Sequence, residues 1–304
     1  MEIDKYKCAP GKKYENNSCF TIDDLIKLAN DYNNNNNDQI IIKKDKKYLL
    51  IKLNEMMGKT YNCNNQQCWL NITNDNNIKK YTFRPNGPTK KYEWLSTTDI
   101  NAVMKQYEKK HTNFKFLEAV PYDFENLPQL EVYNINFDNL MKNNINKIGM
   151  VINLDNHDQS GSHWVSLFSS LDENKLYYFD SFGKTPGKRV RKFNKKIVKF
   201  MNKSFQDSSL LHNSTLKRGG DNSNEITKST LDVRYNKIQH QFKNSECGVY
   251  SMNFIIRLLN GETFDHIVNT ITKDDKMNDC RNAYFINNNS NSTNNLDYCN
   301  MNEK

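Results

Sequence analysis

Thirteen residues, Cys247 to Leu259, constrain this chain more than any other segment. They are apolar nearly all round, and a helix without a polar face has to be enclosed by other elements. The fold must therefore be large enough to wrap a buried helix. A cysteine opens that helix, Gly248 follows it, and Gln241 stands six positions before it in Gln241-Phe-Lys-Asn-Ser-Glu246-Cys247-Gly248-Val-Tyr250. The first turn of a helix favours a thiolate, and glycine allows other groups close to the backbone.

A chain of 304 residues suits one large or two modest domains. Hydrophobic residues make up 37%, and much of the polarity is Asn and Lys, as in Asn33 to Asn37. The net charge of +8 favours acidic or nucleic-acid partners only weakly, because no dense Lys/Arg run accompanies it. No apolar stretch approaches membrane-spanning length and the N-terminus carries no secretory signal, so no membrane association is expected. The seven cysteines are scattered, which fits a reducing setting that keeps a thiol usable. The spacings among Cys8, Cys19, Cys63 and Cys68 match compact zinc modules poorly, so no metal is expected, and Cys280 and Cys299 have no evident role.

Periodicity divides the chain. Thr21-Ile-Asp-Asp24 opens a helix with Ile22, Leu25, Ile26 and Ala29 on one face, and Asn33 to Asp38 breaks it. A second helix is expected from Lys47 to Met57, ended by Gly58. Residues 1–90 read as a small helical appendage, 91–286 as the main domain, and 287–304 as a loose Asn-rich tail. Ser96-x-x-Asp99 caps a further helix. Strands are expected at Ile148 to Leu154, His163 to Phe168, Leu176 to Phe179 and Leu231 to Tyr235. Val190, Phe193, Ile197 and Met201 mark an amphipathic helix, and Lys203 to Thr230 reads as a polar surface insertion. The class is α+β, with a small mixed sheet packed by helices.

Chemistry gathers on four stretches. Gly161-Ser-His163-Trp164 and Tyr177-Tyr-Phe-Asp180-Ser181 place an imidazole and a carboxylate near the ends of two strands. With Cys247 they make a nucleophile, a base and the group that steers the base. Gln241 is the candidate side-chain donor to a developing oxyanion, beside the Cys247 N–H; one such donor is worth roughly 3 kcal/mol. The rivals are His157 and His240 for the base and Gln239 for the donor. No cofactor is required.

Together these residues resemble the adenain and SUMO-protease superfamily of cysteine peptidases. Trp94-Leu95 with Ile100 is similar to the segment that opens the SUMO-protease catalytic domain, although Ser96 and Thr97 replace Asn-Asp. Glu246 stands where Asp is common. Phe116-Leu-Glu-Ala-Val-Pro121-Tyr-Asp-Phe124 and the lead-in Gln239-His240-Gln241 resemble the polyprotein-processing proteases of large cytoplasmic DNA viruses. The resemblance implies an adenain-like, papain-like core and cleavage after Gly-Gly in capsid or core precursors. It further implies a substrate slot roofed by Trp94 and Trp164 with Gly248 alongside, and a location in the host cytoplasm and the virion. Removal of SUMO or ubiquitin-like tags uses the same residues and stays an alternative. So do acetyl transfer and a non-enzymatic or weakly DNA-binding role.

Overall fold

The computed structural model describes residues 8, 14–63, 66–70, 72–79, 84–88, 90–215, 230–285 and 299, with backbone alone at 17, 67, 76, 79 and 204–215. The chain divides into two compact units, Met1–Pro85 and Asn86–Lys304.

In the first unit, α1 (Ile22–Asn35) begins with the expected reciprocal cap between Thr21 and Asp24. It packs against α2 (Lys46–Tyr61) through Leu25, Leu28, Leu49 and Leu53, all buried. Gly58 does not end α2. The helix runs on to Tyr61 and stops at Asn62, which takes the left-handed conformation at φ 52°. An interior glycine costs only about 1 kcal/mol, and the packed flank of α2 outweighs that. Two short turns, α3 (Gln66–Trp69) and α4 (Asn76–Lys79), complete the unit, and the Trp69 ring stacks on Phe20 at 6.0 Å.

The six cysteines taken as unpaired are joined as Cys8–Cys19, Cys63–Cys68 and Cys280–Cys299, which leaves Cys247 free. This corrects the expectation of scattered thiols: partners 11 and 19 residues apart in sequence meet only once the chain is folded. Apart from Cys299, the tail expected over 287–304 lies outside the described residues.

The second unit is built on a five-stranded mixed sheet in chain order: β1 (Phe114–Val120), β2 (Lys147–Asn153), β3 (Trp164–Ser170), β4 (Lys175–Phe179) and β5 (Asp232–Tyr235). The two outer pairings are parallel and the two inner ones antiparallel. Strand β1 is absent from the sequence reading. Glu118 sits at φ 69°, and the pairing slips between Phe116 and Ala119. That extra residue is a bulge, and it spoils the alternation by which strands are recognised.

Side chains alternate between the two faces of the sheet. Phe114, Phe116, Val151, Phe168 and Phe179 share one core with α5 (Thr97–Lys110) and α8 (Cys247–Leu259). Met150, Ile152, Val165, Leu167 and Tyr178 share the other with Val190, Phe193, Ile197 and Met201 of α7 (Lys188–Thr215). Every residue of α8 is buried, as its composition requires. The short helices α6 (Phe137–Lys142), α9 (Phe264–Asn269), α10 (Asp274–Asp279) and α11 (Arg281–Tyr284) close the ends.

Two departures concern α7. It continues to Thr215, through the first half of the stretch expected to be a surface insertion; no Gly or Pro interrupts it before Gly219. It also corrects the reading of charge. Eight Lys and Arg and no acid lie between Lys188 and Lys203, interleaved with the four buried apolar residues, so they form no linear run but do form a face.

Gly149 on β2 is a point of close approach. A Cβ there would lie 2.8 Å from the buried Phe114 ring and 3.1 Å from Ile255. Gly149→Ala is expected to destabilise the second unit by about 1–3 kcal/mol, read as a lower urea midpoint at unchanged slope.

Candidate active site

The antiparallel pairing of β3 and β4 brings the start of one beside the end of the other, with Ser166 opposite Phe179. His163 immediately precedes β3 and Asp180 immediately follows β4. The His163 Nε2–H donates to Asp180 Oδ1 at 2.8 Å, with both side chains buried. The same oxygen accepts the Phe182 N–H at 2.8 Å, and the Phe182 ring lies 4.6 Å from the imidazole. Since Nε2 faces the carboxylate, the ring's other nitrogen is left for the Cys247 thiol, its second side-chain partner.

Burial opposes the imidazolium. Hydrogen bonds to Asp180 and Cys247, together with their charges, outweigh it and push His163 up to about 9. Asp180 Oδ2 is buried with no hydrogen-bond partner, so the imidazolium is the neighbour that balances its charge.

Cys247 is the first residue of α8 and is 3% exposed. The first N–H groups of a helix have no partner inside it and carry its partial positive charge. That end of α8 is closely supported. A Cβ on buried Gly248 would stand 3.1 Å from Leu95 and 3.3 Å from Trp164. The Trp164 indole N–H donates to the Leu95 carbonyl at 2.9 Å. Glu246 is fully buried and takes the Ser245 hydroxyl and N–H, while Arg281 donates to the Ser245 carbonyl at 3.0 Å. Trp164 and Gly248 are thus buried, and Trp94 is half exposed.

Gln241 is buried, and its carboxamide is oriented at both ends. Oε1 accepts the Ser181 hydroxyl at 2.6 Å and Nε2 donates to the Lys243 carbonyl at 2.7 Å. A carboxamide has two N–H donors, which leaves one for another acceptor. The Ser181 carbonyl takes the N–H groups of His240 and Gln241. Asp274 takes those of Phe242 and Lys243 at 2.8 and 2.9 Å. The rival Gln239 is exposed and spends its amide on the Gln241 carbonyl.

The rival histidines are committed elsewhere. His157 is exposed and pairs with Asp123 at 2.6 Å, which raises its pKa. His240 is buried and bonded to the Val268 carbonyl at 3.0 Å; burial lowers its pKa.

Several positioning residues escaped the sequence reading. Asn236 is buried, accepts the Asp180 N–H at 2.8 Å and donates to the Asp180 carbonyl at 2.7 Å. Nothing in the sequence marks it. Ser181 was legible only as the residue that follows Asp180 in its segment, and Asp274 was not marked at all.

A thiol at a helix N-terminus, facing an imidazole that a carboxylate holds from behind, can exist as a thiolate–imidazolium pair. On a mixed sheet enclosing the thiol's helix, that is the architecture of a papain-like cysteine peptidase. The chain belongs to the Ulp1 protease family: residues 93–296 match that family's C-terminal catalytic domain. It is a thiol protease and so a hydrolase. A protein of Acanthamoeba polyphaga mimivirus, named as a thiol protease, is 38% identical over 92% of this chain and 93% of its own length. The SUMO-1 cysteine protease of African swine fever virus is 25% identical over 64% of this chain and 68% of its own. A crystal structure of a protease from that virus shares the fold at a TM-score of 0.57, with 19% identity, over 81% of this chain and 93% of that one. Among the described residues no helix is long and apolar enough to cross a membrane.

Asp180→Asn removes the charge and weakens the hydrogen bond that raise His163. Its ring is expected to titrate at least one unit below the wild-type value of about 9, followed by the His163 ring resonances in NMR.

Proposed function

We propose that this chain is a cysteine endopeptidase that cuts after Gly-Gly in precursor proteins of a virus particle. The chemistry is assigned to residues 91–286, with 1–90 a helical appendage and 287–304 a C-terminal tail. The reading is carried above all by His163 standing between Asp180 and the free thiol of Cys247.

In this reading His163 holds the Cys247 proton, and the thiolate attacks the carbonyl carbon of the second glycine. The developing oxyanion takes the spare N–H of Gln241 and the backbone N–H of Cys247. The imidazolium then gives its proton to the departing amine, and a water deprotonated by His163 hydrolyses the thioester and restores the thiol. Asp180 steers His163 and balances its cation. Exposed Trp94 and the reachable edge of Trp164 wall a slot that excludes side chains and admits glycine, while Gly248 lets α8 approach Trp164.

An alternative substrate for the same groups is a ubiquitin-like protein or its conjugates. The name of the African swine fever virus relative, a SUMO-1 cysteine protease, favours keeping it. The viral relatives support a place in the cytoplasm of an infected cell and in virus particles. A weak contact with DNA is proposed as well, on the net charge of +8.

A fluorogenic Gly-Gly-x peptide tests the main reading. Cys247→Ser and His163→Ala should each lower kcat/KM at least a thousandfold, Cys247→Ser with thermal unfolding unchanged and His163→Ala with the fold kept but a lower Tm, because Asp180 loses its partner; turnover near wild type in either would defeat the assignment. Cleavage of a SUMO-fused reporter without cleavage of the peptide would favour deconjugation.

Gln241→Ala should lower kcat by about 10²–10³. Ser181→Ala, which frees the carboxamide to turn, should cost about tenfold in kcat. Alkylation of Cys247 by iodoacetamide forms no oxyanion, so its rate should hold in both variants. The imidazolium required to protonate the leaving amine persists below about pH 9 and is lost above it. Hence kcat/KM is expected to fall as pH rises through that value, and to fall at lower pH in Asp180→Asn.

A further inference from the structure

Helix α7 lies on the sheet face opposite α8 and carries more positive charge than the composition explains. At the chain average, 43 Lys and Arg and 35 Asp and Glu in 304 residues, sixteen positions would hold about two of each. Lys188 to Lys203 holds eight basic residues and no acid. Seven of the eight are exposed; Arg189 is half buried over the Tyr122 ring. Glu125 is the acid that reaches them, 2.8 Å from Lys192 and 4.0 Å from Lys196. Among the described residues no other acid forms an ion pair with them.

A groove of about 760 Å³ runs along the C-terminal half of this face. Phe137 and Phe200, 5.4 Å apart, lie against Lys195, Lys196, Lys199 and Lys203 in its lining. Apolar ring surface flanked by cations is the arrangement that holds a base beside its phosphates.

We infer that this groove and the face of α7 bind a single strand of nucleic acid. Three observations select that occupant. Eight cations along about 22 Å of helix form a dense band of positive charge, which a phosphate backbone complements. Phe137 is buried and Phe200 half buried, so the Phe200 ring is the surface offered to an unstacked base, which a duplex keeps inside its stack. The face carries no exposed large apolar residue, as insertion into a lipid surface would require. The inference deepens the weak DNA contact proposed above by placing it and naming the form of the partner; it does not depend on the proteolytic reading.

Fluorescence anisotropy on the full chain tests it, with labelled (dT)20, its RNA counterpart and a duplex of equal length at 50–200 mM salt. Both strands should bind more tightly than the duplex. The triple variant Lys195→Gln, Lys199→Gln, Lys203→Gln should bind at least tenfold more weakly. Its log–log salt slope should be shallower by about 2, from roughly 0.7 per lost phosphate contact. Replacing the same lysines with Arg should keep the binding, and turnover of the Gly-Gly-x peptide should be unchanged in both variants. Equal affinity of the Gln variant and wild type, equal affinity for strand and duplex, or no binding at 50 mM salt would each overturn the inference. Preferential capture of a polyglutamate peptide of matched charge would overturn it too, in favour of an acidic protein.

Discussion

Two adjacent residues at the end of β4 set the geometry on which the rest of the site depends. Asp180 holds the His163 imidazole, and Ser181 holds the Gln241 carboxamide. Adjacent Cα atoms are 3.8 Å apart by covalent geometry, so the His163 imidazole and the Gln241 carboxamide are referenced to one peptide unit. Asn236 grips that unit from both sides, through the N–H and the carbonyl of Asp180. A buried carboxylate is costly unless it is paired. Here the pairing comes from the His163 imidazolium, so the same hydrogen bond that keeps Asp180 tolerable also raises His163.

The other half of the arrangement is the start of α8. A helix enclosed on every side has little freedom to shift, because each displacement would open a cavity in a close-packed interior. Its first residue is therefore a precise place for a thiol. Leu95 and Trp164 press on Gly248 where a larger residue would hold α8 away from the strands. The loop before it would otherwise be free to wander. It is tied by Ser181, Asp274 and Arg281, three side chains from three different elements.

What the sequence disclosed and what it hid follow from the range of the interactions. Caps are local, so the helix starts at Thr21 and Ser96 were legible from three-residue spacings. The apolar run from Cys247 to Leu259 was legible because complete burial leaves no other reading. His163, Asp180, Gln241 and Cys247 were legible as residue types in a chain order, and the structure brings their side chains into one neighbourhood. The ties by Asn236, Asp274 and Arg281 were not legible: an Asn, an Asp and an Arg in loops and short helices look the same whether they are solvated or clamping a buried backbone. Strand β1 was lost to its bulge at Glu118, and the pairings Cys8–Cys19 and Cys280–Cys299 to the distance between the partners along the chain.

The basic face of α7 was hidden for a related reason. Its cations are interrupted every three or four residues by the apolar side chains that seal the core, so a linear scan meets a mixed segment where folding makes two pure surfaces. The same periodicity separates the two roles argued for this chain. The helix puts its cations in water, and its own diameter of about 10 Å and the sheet both stand between them and α8. The Debye length at physiological salt is about 8 Å, so charges in solvent on that side contribute little to the His163–Asp180 pair. A strand held along α7 would therefore locate the protease without retuning its thiol.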